Sequence, residues 1–470
     1  MGFSYGLAVF LVIFEGIIIQ CEGAGDEISP NRIQDASSII DIEADQPCLP
    51  NDLIEVIVGK TNFATIKNAI QSRTIRATGI VISRILKDRI ILIMPDFDGS
   101  IYENDVYLRF GSYQKQLSFF DKFGDQVRKI EIFYKNDVPH NEIYRNMIER
   151  CANNLEELRF KTDLGENDVG FWEDILDGEN YINFPEVKKF QLVGRSTRNE
   201  LKLNLIFPKL ESVELIGYIA DVNCLENVKG LKELMLCTTI EENQLDDIFK
   251  NNANMTKISL SMPEMAKTMH SIAKYLTSLK TLEIQFPGGN FLLRANNDPV
   301  YKLPSVSHFD ILFDEMDEQI LIGNVSFVMP NLKKLILDGN LTDDRIINFI
   351  KQFEKIEILE LLVKEYNAVE CIRKLHHIKE FTTTFYENGF DYVKNMFENF
   401  DEKSKLQTLK FVYFDESLYK TYETEMKKIN IYLELIGKPT WIISQKEQTI
   451  KWGPYRTEIR QNCLMFRREK

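Results

Sequence analysis

The sequence predicts an α/β solenoid, a stack of short repeats with a parallel sheet on one face and helices on the other. Two observations carry this prediction. The pattern apolar-x-x-apolar-x-apolar recurs between residues 127 and 414 in six clear copies and six looser ones. Several stretches between the copies place apolar residues at intervals of three and four, which indicates helices. Because strand and helix alternate along the chain, the strands are expected to run parallel.

The repeat is clearest in "FPKLESVEL" from residue 207, "LTSLKTLEI" from 276 and "MPNLKKLIL" from 329. The last two apolar residues of each copy are two apart, so both point to the same face of a strand. One unit cannot bury that face alone, and stacked neighbours must supply the core. The first apolar residues of the twelve copies are Val127, Leu155, Val187, Leu210, Leu231, Met255, Leu279, Val306, Leu332, Ile356, Ile378 and Leu406.

The intervening segments complete the domain plan. Apolar spacing predicts helices over the stretches 140–154, 242–254, 263–276, 342–353 and 389–400. Residues 89–126 contain the strand-like stretches "RIILIM" and "VYLRF" and are expected to form a transitional or capping repeat. Residues 415–470 are expected to cap the other end, with the helix "LYKTYETEMKKINIYLELI" followed by the closing strand "PTWIISQ".

Twelve copies at spacings of 21 to 32 residues resemble the leucine-rich-repeat family. The resemblance implies a leucine-rich-repeat solenoid over residues 127–414, with the sheet on the concave face and the helices on the convex face. It also implies a domain that binds partners. The sequence contains no catalytic constellation, so the chain is expected not to be an enzyme, and no cofactor or metal is expected.

Strand alternation predicts which side chains face a partner, because the residue between two buried strand positions points away from the core. Of these residues, the middle repeats supply the predicted partner-binding set Glu214, Met235, Glu283, Asp310, Ile336 and Glu360. The complete predicted column is Glu131, Arg159, Gln191, Glu214, Met235, Ser259, Glu283, Asp310, Ile336, Glu360, Thr382 and Lys410. Its acids favour a partner with a basic surface, although an ordinary solvated sheet face also accounts for them.

The N-terminus begins with the apolar run "LAVFLVIF" at residues 7–14, which predicts a signal peptide over residues 1–23. A short buried helix or an apolar tail is the alternative. Residues 24–47 are polar and acidic and are expected to form a linker. No later stretch has about 18 uninterrupted apolar residues, so no membrane span is expected in the mature chain. A secreted chain would expose three glycosylation sequons, at Asn254, Asn324 and Asn340.

Residues 48–88 read as helical and begin with "LPNDLIEVIV" from Leu49. This opening resembles an F-box, in which Leu-Pro precedes a short helix with an apolar face. The resemblance implies adaptor binding by Leu49, Pro50, Leu53, Ile54 and Ile57, on a Skp-type adaptor of a cullin–RING ubiquitin ligase. The family often carries a Trp in its third helix, and "ATGIVISRIL" has none. The alternative is a helical cap that shields the first repeat.

Charge and motifs narrow the function further. The net charge of −14 opposes nucleic acid as the main partner. "VGKT" at residues 58–61 lacks the first Gly of a phosphate-binding loop, and the adjacent His376 and His377 do not share one face of an element. We expect a non-catalytic substrate receptor of a Skp–cullin–F-box ubiquitin ligase, with an unknown protein target on the concave face.

The order of export signal, F-box-like segment and degenerate repeats also resembles secreted insect effectors found in saliva and venom. That resemblance implies export, followed by action on ubiquitination in the cytoplasm of a host cell. The alternative function is a secreted leucine-rich-repeat protein-binding module with no ligase role.

Overall fold

The computed structural model describes much of the repeat region and its two flanks, and all of the described residues belong to one compact unit, 62–470. The described residues are 86, 90–93, 107–109, 113–134, 141–162, 182–196, 202–219, 222–237, 242–261, 265–286, 300–313, 326–339, 345–363, 375–384, 397, 405–412, 419–435, 440–452 and 457–468. The predicted signal peptide, the linker and the five adaptor-binding residues therefore lie outside the description, as do Asn324 and Asn340.

Sixteen of the described strands form one sheet. In chain order the strands are β1 (Ile90–Ile93), β2 (Tyr107–Arg109), β3 (Lys129–Tyr134), β4 (Glu157–Thr162), β5 (Lys189–Ser196), β6 (Ser212–Ile219), β7 (Glu233–Cys237), β8 (Lys257–Ser261), β9 (Thr281–Phe286), β10 (Val300–Lys302), β11 (His308–Phe313), β12 (Ser326–Val328), β13 (Lys334–Gly339), β14 (Ile358–Val363), β15 (Glu380–Thr384), β16 (Thr408–Val412), β17 (Trp441–Trp452) and β18 (Thr457–Arg468). In the large sheet the strands from β2 and β1 through β3 to β16 are parallel, and β10 and β12 are not part of it. The sheet ends with β18, which is antiparallel to β16, and β17, which is antiparallel to β18.

Helices alternate with many of these strands, as the sequence predicts. The described helices are α1 (Tyr113–Phe123), α2 (Asn141–Cys151), α3 (Leu203–Ile206), α4 (Glu242–Asn251), α5 (Met265–Tyr275), α6 (Arg345–Lys351) and α7 (Tyr419–Leu435). Helices α2, α4, α5 and α6 lie within the predicted stretches, and of the fifth stretch, 389–400, only Phe397 is described. The expected α/β solenoid with a parallel sheet is confirmed. No helix in the described ranges is both long enough and apolar enough to cross a membrane.

One continuous core follows the repeat. The first apolar residue of every copy is buried, with at most 3% of its surface exposed. The residues three and five positions later are buried as well, and helical side chains such as Met147, Phe249 and Ile272 pack against them. Phe309 of β11 illustrates the stacking between repeats, because its ring lies 5.3 Å from that of Phe327. Stacking therefore buries what one unit leaves open.

Backbone hydrogen bonds carry the register from one repeat to the next before each strand begins. The Lys232 N–H donates to the Glu211 carbonyl at 2.7 Å, and the Thr256 N–H donates to the Lys232 carbonyl at 2.8 Å. The Lys280 N–H donates in turn to the Thr256 carbonyl at 2.8 Å. Equivalent residues of neighbouring repeats are thus tied together, which holds each strand level with the next.

Both ends of the sheet differ from a plain repeat. At the N-terminal end, β1 and β2 occupy the two strand-like stretches between residues 89 and 126. At the C-terminal end the sequence predicted one closing strand, whereas the structure has the antiparallel pair β17 and β18. Asn430 of α7 fixes this pair, since its side chain bonds both the N–H and the carbonyl of Trp441. A prediction based on the repeat period ends at β16, because the sequence of the β17–β18 hairpin does not follow the repeat.

The two short strands β10 and β12 were not predicted. They pair in parallel as a separate two-stranded sheet, with Tyr301 opposite Phe327. Both aromatic side chains are buried in the core, and their rings lie 5.9 Å apart. Three-residue strands leave too short an alternation for a sequence pattern to reveal.

Candidate partner-binding face

The twelve side chains of the predicted column lie directly opposite one another on twelve successive parallel strands. We call this row the central column and the sheet face that carries it, opposite the helices, the concave face. The row reads Glu131, Arg159, Gln191, Glu214, Met235, Ser259, Glu283, Asp310, Ile336, Glu360, Thr382 and Lys410. Strand alternation places the residues two before and two after each of them on the same face.

Several central-column side chains are less accessible than their position on an open face would indicate. Glu131 and Glu283 are buried, with side chains 5% and 10% exposed. Met235 is buried as well, whereas Ile336 and Glu360 are half-buried. A carboxylate with so little access to water requires a compensating partner, and the sheet provides one in most cases.

Cross-strand lysines neutralise two of these acids in the same geometry. Lys257 Nζ of β8 lies 3.2 Å from Glu283 of β9, and Lys334 Nζ of β13 lies 2.8 Å from Glu360 of β14. In both cases the lysine is two residues before the central column on the preceding strand, so the pair crosses the sheet diagonally. Similar diagonal pairs recur in sheets because such side chains are within reach of one another.

At the N-terminal end of the central column, the acids also have partners, but these are not lysines on the diagonal of the preceding strand. Glu131 lies 2.8 Å from Lys161 Nζ and 3.7 Å from a guanidinium nitrogen of Arg159. Glu214 accepts a hydrogen bond of 2.7 Å from the Gln191 amide. Four of the five acids of the central column therefore have a partner.

Asp310 is the fifth acid, and within the described residues it takes part in no hydrogen bond or ion pair. The position diagonal to it on the preceding strand is Thr281, which carries no charge. Burial, followed by repulsion from Asp338 and Glu360, raises the pKa of Asp310 to about 7. Lys334 and Lys257 oppose this shift without reversing it.

The surroundings of Asp310 combine charge with apolar surface. His308, two residues earlier on β11, has its pKa lowered to about 4 by burial and by Lys334, so it is neutral at pH 7. Ile336 lies directly opposite Asp310, and Leu312 and Leu362 flank Asp338 on the neighbouring strands. The patch thus offers an unpaired carboxylate beside aliphatic side chains, a combination suited to a mixed protein surface.

Sequence reasoning identified the central column, while it missed the residues that decide its charge, namely Lys257, Lys334, Thr281 and Asp338. The sequence does contain a signal for them, because each lies two positions from a central-column residue on its own strand and therefore on the same face of the sheet. Elsewhere, Asn254 of the predicted sequons is exposed in the turn after α4. Within the described residues no group of three or more His, Cys, Asp or Glu side chains is arranged to hold a metal ion.

No protein-family model matches the chain, and no curated protein matches it in sequence. Among solved structures, an internalin from Listeria monocytogenes is 14% identical over 56% of this chain and 75% of its own, with a TM-score of 0.29. TLR13, solved in a complex with ssRNA13, is 13% identical over 71% of this chain and 57% of its own, with a TM-score of 0.38. The fold of the present chain rests on its own strand register.

Proposed function

We propose that the chain is a non-catalytic receptor that binds a protein on its concave face. The observation that supports this most directly is the unbroken register of the central column over twelve strands. At about 4.8 Å per strand, the row spans roughly 55 Å. A small molecule would contact only a fraction of that length, whereas a protein surface matches it.

The chemistry of the face favours the same conclusion. Paired acids such as Glu283 and Glu360 share the face with apolar residues such as Ile336, so the face is neither uniformly charged nor uniformly apolar. Specific protein interfaces have this mixed character, with apolar centres and oriented polar groups around them. Fixed ion pairs also define an orientation for the partner before it arrives.

Site-specific photo-crosslinking tests the location of binding. A photo-reactive amino acid replaces Ile336 on the concave face, and in a matched variant it replaces Asn348, which is exposed on helix α6. In cells of the source tissue, the Ile336 variant should yield one dominant protein adduct that the Asn348 variant lacks. An adduct formed only from the Asn348 position would place the partner on the helical face and contradict the proposal.

We further propose that the receptor delivers its bound target to a Skp–cullin–F-box ubiquitin ligase. Support comes from the sequence alone, in Leu49 and Pro50 at the opening and in the apolar spacing of Leu53, Ile54 and Ile57. In this proposal the helix docks in an adaptor groove through a few apolar anchors, and the partner enzymes perform the chemistry. Export through the N-terminal segment would direct this activity to a host cell.

Binding to the adaptor separates this proposal from its alternative, a secreted binding module without a ligase role. The purified full chain is mixed with a Skp-type adaptor beside a Leu49→Ala, Pro50→Ala, Ile54→Ala variant. An exposed apolar residue, Ile431→Ala, serves as the control. The triple variant should lose binding and the control should retain it, whereas a folded wild type that does not bind favours the alternative. Sequencing the N-terminus of protein from the tissue fluid tests export.

A further inference from the structure

We propose that Asp310 is the docking point for a lysine or arginine side chain on a basic segment of the partner protein. This inference rests on the proposed function of the concave face and assigns the chemistry of one position within it. It depends on three features of the described structure: the unpaired carboxylate, the occupied state of the nearby cations, and the aliphatic surface around the carboxylate.

The missing partner of Asp310 follows from the diagonal geometry of the sheet. Glu283 receives Lys257 from the preceding strand, and Glu360 receives Lys334 in the same way. The equivalent position for Asp310 is Thr281, opposite His308 in the register of β9 and β11. A threonine hydroxyl supplies no positive charge, so the sheet leaves this diagonal without the cation that the other two contain.

None of the neighbouring groups takes the place of that cation. Lys257 and Lys334 already lie within 3.2 Å of Glu283 and Glu360. His308 on the same strand is neutral near pH 7, and Asp338 on β13 adds negative charge. Among the described residues Asp310 therefore has no cation of its own, and a cation from outside would supply one.

The surroundings also suit the shape of a long cationic side chain. Ile336 lies opposite Asp310, and Leu312 lies two residues further along β11. Lysine and arginine carry an aliphatic stem that packs on apolar surface while the charged end reaches a carboxylate. A simple ion would satisfy only the charge, whereas a basic protein segment satisfies both the charge and the apolar surface.

Binding of such a segment is linked to pH. The free carboxyl of Asp310 has a pKa raised to about 7, and a bound cation favours its ionised form and lowers that pKa. Binding therefore releases a proton when it begins from the protonated carboxyl. The affinity should therefore increase as the pH rises from 6 to 8.

Fluorescence anisotropy of a fluorescein-labelled hexa-arginine peptide tests the docking point on the full chain at low salt. Asp310→Asn removes the charge, and Thr281→Lys places a lysine on the vacant diagonal to occupy Asp310 from within. Asp247→Asn makes the same chemical change on the exposed face of α4 and is the control for net charge. Asp310→Asn and Thr281→Lys should each weaken binding at least about fivefold, and Asp247→Asn less than about twofold.

The pH dependence provides the second readout. Wild-type affinity should increase between pH 6 and pH 8, and the increase should disappear in Asp310→Asn. The inference is overturned if wild type does not bind the peptide, or if Asp310→Asn and Asp247→Asn weaken binding equally. Retained binding by folded Thr281→Lys also overturns it. The proposed function is judged separately, because crosslinking from Ile336 reports the partner whether or not Asp310 contacts a cation.

Discussion

Lys334 on β13 reaches diagonally to Glu360 on β14, with 2.8 Å between the ammonium nitrogen and a carboxylate oxygen. The two side chains are 29% and 16% exposed, so water screens the pair less than it screens an ordinary surface pair. Lys257 and Glu283 repeat the arrangement three strands earlier in the sheet. Both carboxylates therefore have a cationic partner that is built into the sheet itself.

Replacing Lys334 by Met should leave Glu360 unpaired and lower the free energy of unfolding by about 1–2 kcal/mol. Lys209→Met is the matched control, because Lys209 pairs with Glu186 at 2.6 Å on an exposed part of the surface. Exposed pairs contribute at most about 1 kcal/mol. Urea denaturation at pH 7 compares the two variants, and equal losses would show that partial burial adds nothing to the Lys334 pair.

Asp310→Asn should stabilise the protein at high pH. The pKa of Asp310 is raised from an ordinary value of 3.8 to about 7, so folding favours the protonated carboxyl. That contribution is fully present below about pH 4 and is lost as the pH rises through 7. Asparagine mimics the protonated carboxyl, so the variant lacks the pH dependence of stability that Asp310 causes.

The gain of Asp310→Asn over wild type should therefore be larger at pH 8 than at pH 5, by about 2–3 kcal/mol. Urea denaturation at both pH values measures it, with Asp247→Asn as the control for a carboxylate on the helical side. A gain for Asp310→Asn that is the same at pH 5 and pH 8 would mean that the carboxyl titrates normally.

The strand register was predictable because the repeat fixes it. Leu335 and Leu337 are buried in β13 as their alternation requires, and the position between them, Ile336, lies in the central column. Only one strand of the β17–β18 hairpin was predicted, because the hairpin lies outside the repeat. Helix ends were also imprecise, since α4 ends at Asn251 rather than at residue 254.

Which residues lie on the candidate face was predictable, whereas the charge pairing among them was less so. Alternation indicates that Glu283 and Asp310 share one face, while their different charge states depend on residues from the strand before. Lys257 and Thr281 lie 26 and 29 residues upstream of the acids that they face, as their numbers show. Only the assembled sheet shows that one diagonal is filled and the other is vacant.

Gly217 should tolerate no side chain, because its backbone is left-handed and crowded at the same time. Its φ is +115°, and an added methyl carbon would lie 2.1 Å from the Gly194 carbonyl oxygen on β5. Gly217→Ala should lower the free energy of unfolding by more than about 3 kcal/mol. Gly230→Ala is the control, since its φ of +88° is also unfavourable while the added carbon meets nothing within 4 Å.

Gly230→Ala should therefore cost only the backbone strain, about 1–2 kcal/mol. Thermal and urea denaturation of both variants separate strain from collision. Equal losses would show that β5 and β6 shift apart to accommodate the Gly217 methyl group without further cost.

Asn252 should be essential for the stacking of the repeats around α4. It is 3% exposed, and its side chain accepts a hydrogen bond of 2.9 Å from the Leu231 N–H. Its amide nitrogen donates to the carbonyls of Val228 and Ile248, each at 2.9 Å. One side chain therefore joins the end of its own helix to the turn of the preceding repeat.

Asn252→Ala leaves one buried N–H and two buried carbonyls without their partner, and it should lower the free energy of unfolding by about 3 kcal/mol. Asn251→Ala is the control, because Asn251 is exposed and donates a single hydrogen bond to the Glu226 carbonyl. Its loss should stay below about 1 kcal/mol. Hydrogen exchange should also show faster opening of the Leu231 amide in Asn252→Ala only. A protected Leu231 amide in that variant would mean that another group takes over the bond, and that Asn252 does not hold the two repeats together.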